Sequence, residues 1–212
     1  MTKTKVSIKT IVRYFRDFSI VVAGIAVTLY VNDRITNQGE KRDIKLYLDA
    51  IKLELEENIK DIDENLEYLQ KSVRYANYLK SNDKKSLNKD TIVSYADSYY
   101  TFTTTFFKTN AFEMFKSSGA MRLMDNKELL LSIWTAYTEL SNLKLILDQM
   151  YQMKLTEIDK DHQLPVEKRL PDFIPMYRFY MAPMPYEMVR LSEDASKILK
   201  ETVEDLRKRN NH

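Results

Sequence analysis

The chain has no cysteine. This removes a disulfide framework, a thiol nucleophile and any thiolate metal site. Only three glycines occur in 212 residues, Gly24, Gly39 and Gly119. That is too few for a glycine-rich phosphate loop or for many tight turns, which disfavours nucleotide-binding α/β folds and favours long helices. Two histidines, His162 and His212, leave general acid–base chemistry few carriers. All five prolines fall between Pro165 and Pro185, so the rest of the chain lacks the strongest helix breaker. The formal net charge of +2 creates no field that would draw nucleic acid. No motif calls for a cofactor or a metal, and the expectation is a protein that is not an enzyme.

What is present begins with one uncharged run, Phe18 to Asn32, closed by Asp17 and Asp33. Alone it makes about 22 Å of helix, short of a hydrocarbon core of about 30 Å. Its flanks lengthen it. Ile11, Val12, Tyr14 and Phe15 continue the apolar character, and Arg13 and Arg16 can lay their stems along lipid. From Ile11 to Ile35 the helix reaches about 37 Å, with Tyr14 and Tyr30 placed for the two interfacial belts. The anchor is assigned to Phe18, Ile20, Val21, Val22, Gly24, Ile25, Val27, Leu29 and Val31. A cleaved signal peptide would need small residues where Leu29, Tyr30 and Val31 stand. An interfacial helix would need a polar face, and only Ser19 and Thr28 are polar between 18 and 31. A buried helix of a soluble domain is the competing reading. Five basic residues precede the run and four follow it, diluted there by Asp33, Glu40 and Asp43. The bias favours a cytoplasmic N-terminus and a domain on the far side.

The remainder reads as all-α. Ile44, Leu48, Ile51, Leu55, Ile59, Ile62, Leu66, Leu69, Val73, Ala76 and Leu79 recur every three or four residues, which predicts one long helix from Glu40 to Leu79. Glu54, Glu56, Glu57, Asp61, Asp63, Glu64 and Glu67 form its opposite face, and Asn58 and Asn65 read as a solvated flank. Ser81 to Asp90 reads as a polar loop, followed by a helix from Thr91 to about Tyr100; Thr101 to Phe107 is not placed. Asn110 with Glu113, and Asp125 with Glu128, have capping-box spacing. Gly119 sits where a left-handed residue would close the helix that runs to Ser117. The helix opened at Asp125 carries Leu130, Ile133, Trp134, Tyr137, Leu140, Leu147, Met150, Tyr151, Leu155 and Ile158. It is expected antiparallel to the first, with Trp134 in the core. Ser192 followed by Glu193 and Asp194 reads as the cap of a last helix ending in Arg207, Lys208 and Arg209. The organisation is then a basic flank and anchor (1–38), a helical bundle (39–164), a proline-rich strap (165–186) and a C-terminal helix (187–212).

Two blocks carry a resemblance. Arg16 to Asp33, with its Val22-Ala-Gly-Ile25 centre and asparagine-containing exit, resembles the anchor of an uncharacterised bacterial family of small single-span envelope proteins. Ala111 to Leu129, with Phe112-Glu-Met-Phe-Lys-Ser-Ser-Gly119 ahead of a capped helix, is similar to that family's second shared element. The chain departs at Asp33-Arg34, where the family often has tryptophan, and at Phe112, where tyrosine is usual. The resemblance implies a membrane-tethered helical domain and no activity.

Candidate chemistry is sparse. His162 beside Glu157 and Asp161 makes a weak metal set and reads better as a solvated helix end. Asp61 to Asn65 starts like a calcium loop but has Leu66 where glycine is required. Ser117 and Ser118 have no histidine near in sequence, and Arg207 with His212 reads as a basic helix end. The segment Phe173, Met176, Tyr177, Phe179, Tyr180, Met181, Met184 and Tyr186 combines adaptable and amphipathic side chains. It reads either as a strap over the bundle or as a surface for a partner. The expected partners are the lipid bilayer and a second copy or another envelope protein, with no nucleic acid. The function expected is a membrane-anchored interaction or scaffold module; an oligomeric pore-forming effector is the alternative, and a hydrolase the least favoured.

Overall fold

The computed structural model describes residues 8–95, 106–163, 174 and 176–209. Its described side chains are 22–23, 25–30 and those from 38 onward, except 84 and 161. Among the described residues the only regular elements are helices, so the all-α reading holds. They are α1 (Ile8–Ser81), a 3-10 turn (Lys84–Ser86), α2 (Lys89–Ser94), α3 (Asn110–Ser117), α4 (Ala120–Leu123), α5 (Lys127–His162), α6 (Tyr177–Met181) and α7 (Met184–Arg209). The chain divides into two compact units, 1–46 and 47–212, with α1 contributing to both.

Within the first unit, Val22, Ile25, Val27, Leu29 and Tyr30 are all exposed on α1. Among the described residues no helix is long and apolar enough to cross a membrane. Of the predicted anchor, the side chains of Phe18, Ile20, Val21, Gly24 and Val31 lie outside the described residues.

The second unit is a bundle of α1, α5 and α7. Leu48, Ile51, Leu55, Ile62, Leu69, Ala76 and Leu79 of α1 are buried as their spacing demands. Ile51 and Leu55 are fully enclosed, each worth about 1.5–3 kcal/mol in removed apolar surface. Cross-helix contacts fix the directions. Glu56 meets Arg207, Asp63 meets Ser196 and Lys200, and Asn77 meets Tyr186, so α7 runs antiparallel to α1. Ser132 meets Thr202, with α7 again coming from the opposite end. Glu54 meets Tyr137, while Tyr75, Ala76 and Leu79 share a cluster with Ile158. Helices α1 and α5 are therefore parallel, which corrects the antiparallel pairing expected from sequence. Lys108 and Ala111 lie back beside Asn58 and Glu54 of α1, ahead of the start of α5, as in bundles with a crossover connection.

The far end of the bundle holds an aromatic cluster. Tyr75, Tyr180 and Met176 are completely buried, with Tyr75 edge-on to Tyr180 at 4.8 Å between ring centres. Tyr95 lies against Tyr75 at 5.1 Å. Short α2 feeds this cluster with Ile92 and is capped by Asn88, whose side chain accepts from the amides of Asp90 and Thr91. It ends at Ser94, earlier than expected; most of the unplaced Thr101–Phe107 stretch, and the expected continuation to Tyr100, lie outside the described residues.

Helix starts differ from the sequence reading in an instructive way. Gly119 does adopt the left-handed conformation, φ 76°, after α3. For α5 the cap is Asn126, not Asp125, with its side chain accepting from Leu129 N at 2.9 Å. Helix α7 begins at Met184, so Ser192 is an interior residue facing the core and not a cap. Pro185 fits the first turn of α7 because its missing N–H would have no intrahelical acceptor there.

Candidate functional site

The most constrained polar constellation in the second unit joins α1, α3 and α5. Glu54 and Asn58 stand one turn apart on the α1 face that also carries Ile51, Leu55 and Ile62. Sequence reasoning sent both outward; the structure buries Glu54 to 7% exposure and Asn58 to 0%. Each is buried because it has partners.

Glu54 is the cap of α3. The residue preceding that helix, Thr109, makes no side-chain cap bond. The Glu54 carboxylate instead accepts from Ala111 N at 2.8 Å and Phe112 N at 3.4 Å. A carboxylate on exposed helix N–H groups is favoured by their hydrogen-bonding need and by the helix dipole. The expected capping box of Asn110 and Glu113 is therefore replaced, and Glu113 pairs with Lys116 at 2.9 Å. Glu54 also accepts a short hydrogen bond from the Tyr137 hydroxyl of α5. Burial, and then this bond, push the Tyr137 pKa up, so the hydroxyl stays a proton donor.

Asn58 grips the chain just before α3. Its amide nitrogen donates to Lys108 O and its oxygen accepts from Lys108 N, both at 2.8 Å. One side chain thus pairs both backbone groups of Lys108, as a neighbouring strand would. The Lys108 side chain reaches Glu57 at 2.8 Å, and that bond raises its pKa. Over this node Phe112 stacks on Tyr137, 4.2 Å between ring centres and 4° from parallel. Trp134 meets Phe112 edge-on at 5.8 Å and remains 48% exposed, which corrects its expected place in the core. Lys116 lies over both Phe112 and Trp134.

What this arrangement does chemically is hold elements together. Glu54 accepts from three donors and Asn58 uses both ends of its amide. Among the described residues no group of His, Asp and Glu is placed to hold a metal. The hydroxyls of Ser117 and Ser118 donate to carbonyls of their own helix. His162 is exposed at the end of α5, and Asp61 to Asn65 lie inside α1. Arg207 binds Glu204 and Glu56; His212 lies outside the described residues.

The methionine and aromatic segment goes to the bundle's far end. Met176, Phe179 and Tyr180 are buried, Tyr177, Met184 and Tyr186 half-buried, and Met181 exposed. Phe173 lies outside the described residues. Tyr186 donates to Asn77 at 2.6 Å, with Lys80 over its ring. Of the eight named residues, Met176, Phe179 and Tyr180 are packed into the aromatic cluster.

Lys154 on α5 is a further buried polar group that sequence reasoning missed, 8% exposed. Burial lowers its pKa from 10.5 to about 8. The unfolded chain therefore binds more protons between these two values, and stability rises with pH across that window. Lys154→Met is expected to flatten the rise between pH 8 and 10, read by urea unfolding at several pH values. An unchanged pH profile in the variant would contradict this account.

Comparison of the chain with protein-family models, curated proteins and solved structures finds no match.

Proposed function

We propose that the chain is a non-enzymatic interaction module tethered to a lipid bilayer by the first part of α1. The observation that supports this reading is the apolar stretch Val22 to Tyr30. Successive helix residues are turned by about 100°, so Val22, Ile25, Val27, Leu29 and Tyr30 spread over roughly 200° of the helix, and the remaining side holds the positions of Gly24 and Thr28. All five are exposed. An uncharged helix stretch with large apolar residues over more than half its circumference exceeds the stripe of an ordinary surface helix and is normally enclosed by protein or by lipid. With the arginine and tyrosine flanks from Ile11 to Ile35 it has the length of a span, about 37 Å. The proposed setting is a bacterial inner membrane, with a cytoplasmic N-terminus and the bundle on the periplasmic side. The family resemblance of Arg16 to Asp33 points the same way. The bundle supplies a rigid body whose polar interior is consumed in holding helices together, leaving its surface for contacts.

Alkaline carbonate washing of membranes from cells making the full chain tests the tether. The chain is expected in the pellet, and Ile25→Arg with Val27→Arg is expected to release it, since each arginine at a span centre costs about 2.5–3.5 kcal/mol. Recovery of the unaltered chain in the supernatant would overturn the proposal.

A further inference from the structure

The exposed surfaces of the two helices that complete the bundle differ sharply. On α7, every exposed residue from Arg190 to Lys208 is charged. On α5, between Leu131 and Thr156, the exposed charge is confined to one ion pair, Lys144 with Asp148. The α5 face instead presents Leu131 (66% exposed), Trp134, Leu145 (58%) and Met153, interleaved with uncharged polar residues. From Leu131 to Met153 it runs about 33 Å. Chance placement is a poor explanation in a chain that is 30% charged.

We infer that this face of α5 is a homotypic docking surface, occupied by the same face of a second copy in an antiparallel, two-fold arrangement centred near Asn142. Charge matching selects the occupant. A partner carrying charges would have to desolvate them against a face whose own charges, Lys144 and Asp148, are already paired with each other. The face itself brings no unpaired exposed charge to the contact, and a two-fold axis makes it self-complementary. The antiparallel sense opposes the two helix dipoles. It also brings Trp134 toward the partner's Met153, a favourable aromatic–thioether contact, and separates the two tryptophans. The inference rests on the interaction-module reading but not on the membrane tether.

The absence of native cysteine makes the test clean. In the full chain in detergent micelles, Asn142→Cys is expected to form a disulfide dimer on mild oxidation. Leu131→Cys and Met153→Cys are each expected to stay unlinked alone, and to link when mixed, because self-pairs at those sites lie far beyond disulfide reach. Glu204→Cys on α7 is the unlinked control. Leu145→Lys, at an exposed site, is expected to keep its helicity and raise the dimer dissociation constant roughly 10–100-fold in sedimentation experiments. A chain that is monomeric throughout would overturn the inference, as would a dimer indifferent to Leu145→Lys, which would place association elsewhere, for example at the anchor. A monomer that still resists carbonate would sink this inference while leaving the tether intact.

Discussion

Glu54→Ala lowers the unfolding free energy of the bundle by about 3–5 kcal/mol, the largest expected effect of any single polar substitution in it. The reason is that the carboxylate serves three donors at once. Its removal leaves the Tyr137 hydroxyl and the amides of Ala111 and Phe112 without acceptors in a site closed to water. Glu54→Gln keeps the shape and one acceptor oxygen and should cost about 1–2 kcal/mol. Tyr137→Phe removes one donor and keeps the stack on Phe112, for about 1 kcal/mol. Urea unfolding of the three variants and of Glu54→Ala/Tyr137→Phe measures both the losses and their coupling. Strictly additive losses would mean that Tyr137 and Glu54 do not interact, and a loss below about 1 kcal/mol for Glu54→Ala would mean that the carboxylate is not the cap of α3.

Asn58→Ala is expected to cost about 2–4 kcal/mol, through two unpaired backbone groups at Lys108 and a small cavity. Asn58→Leu fills the space without restoring either bond, so it should not recover the loss. The two readouts separate packing from hydrogen bonding. Hydrogen exchange gives the local view: the Lys108 amide, held by Asn58 Oδ1, should exchange roughly 10–100-fold faster in Asn58→Ala. Equal exchange rates in the two proteins would show that the clasp does not hold this segment.

Helix existence was largely legible in the sequence, because the apolar spacing of α1 and α5 is helical over many turns and proline is confined to one segment. Helix direction was not. A stripe of apolar residues states which face is buried but not which way its neighbour runs, and the parallel pairing of α1 with α5 depends on the return path between them. The polar node was hidden for a related reason. Counting apolar residues selected Ile59 for the core, whereas the helical period from Ile51 and Leu55 to Ile62 passes through Asn58. Position, read without regard to polarity, would have found it. The partners of Asn58 and Glu54 are backbone groups and the Tyr137 hydroxyl, all 50 or more residues away in sequence, and nothing local announces them. The start of α7 was misplaced because Ser192-Glu-Asp has cap chemistry, yet Pro185 already fits the first turn and the helix extends back to it. In the same way, Trp134 kept its place on the helical stripe but lies at the stripe's edge, where Phe112 covers one side of the indole and solvent the other.

The tether is the centre of the functional account, and thiol labelling tests it most directly. Lys3→Cys and Glu193→Cys each give the full chain a single thiol, on opposite sides of the proposed span. In intact cells treated with a membrane-impermeant maleimide, Glu193→Cys is expected to label and Lys3→Cys to label only after lysis. Equal labelling of both thiols before lysis, or of neither, would contradict a single span between them.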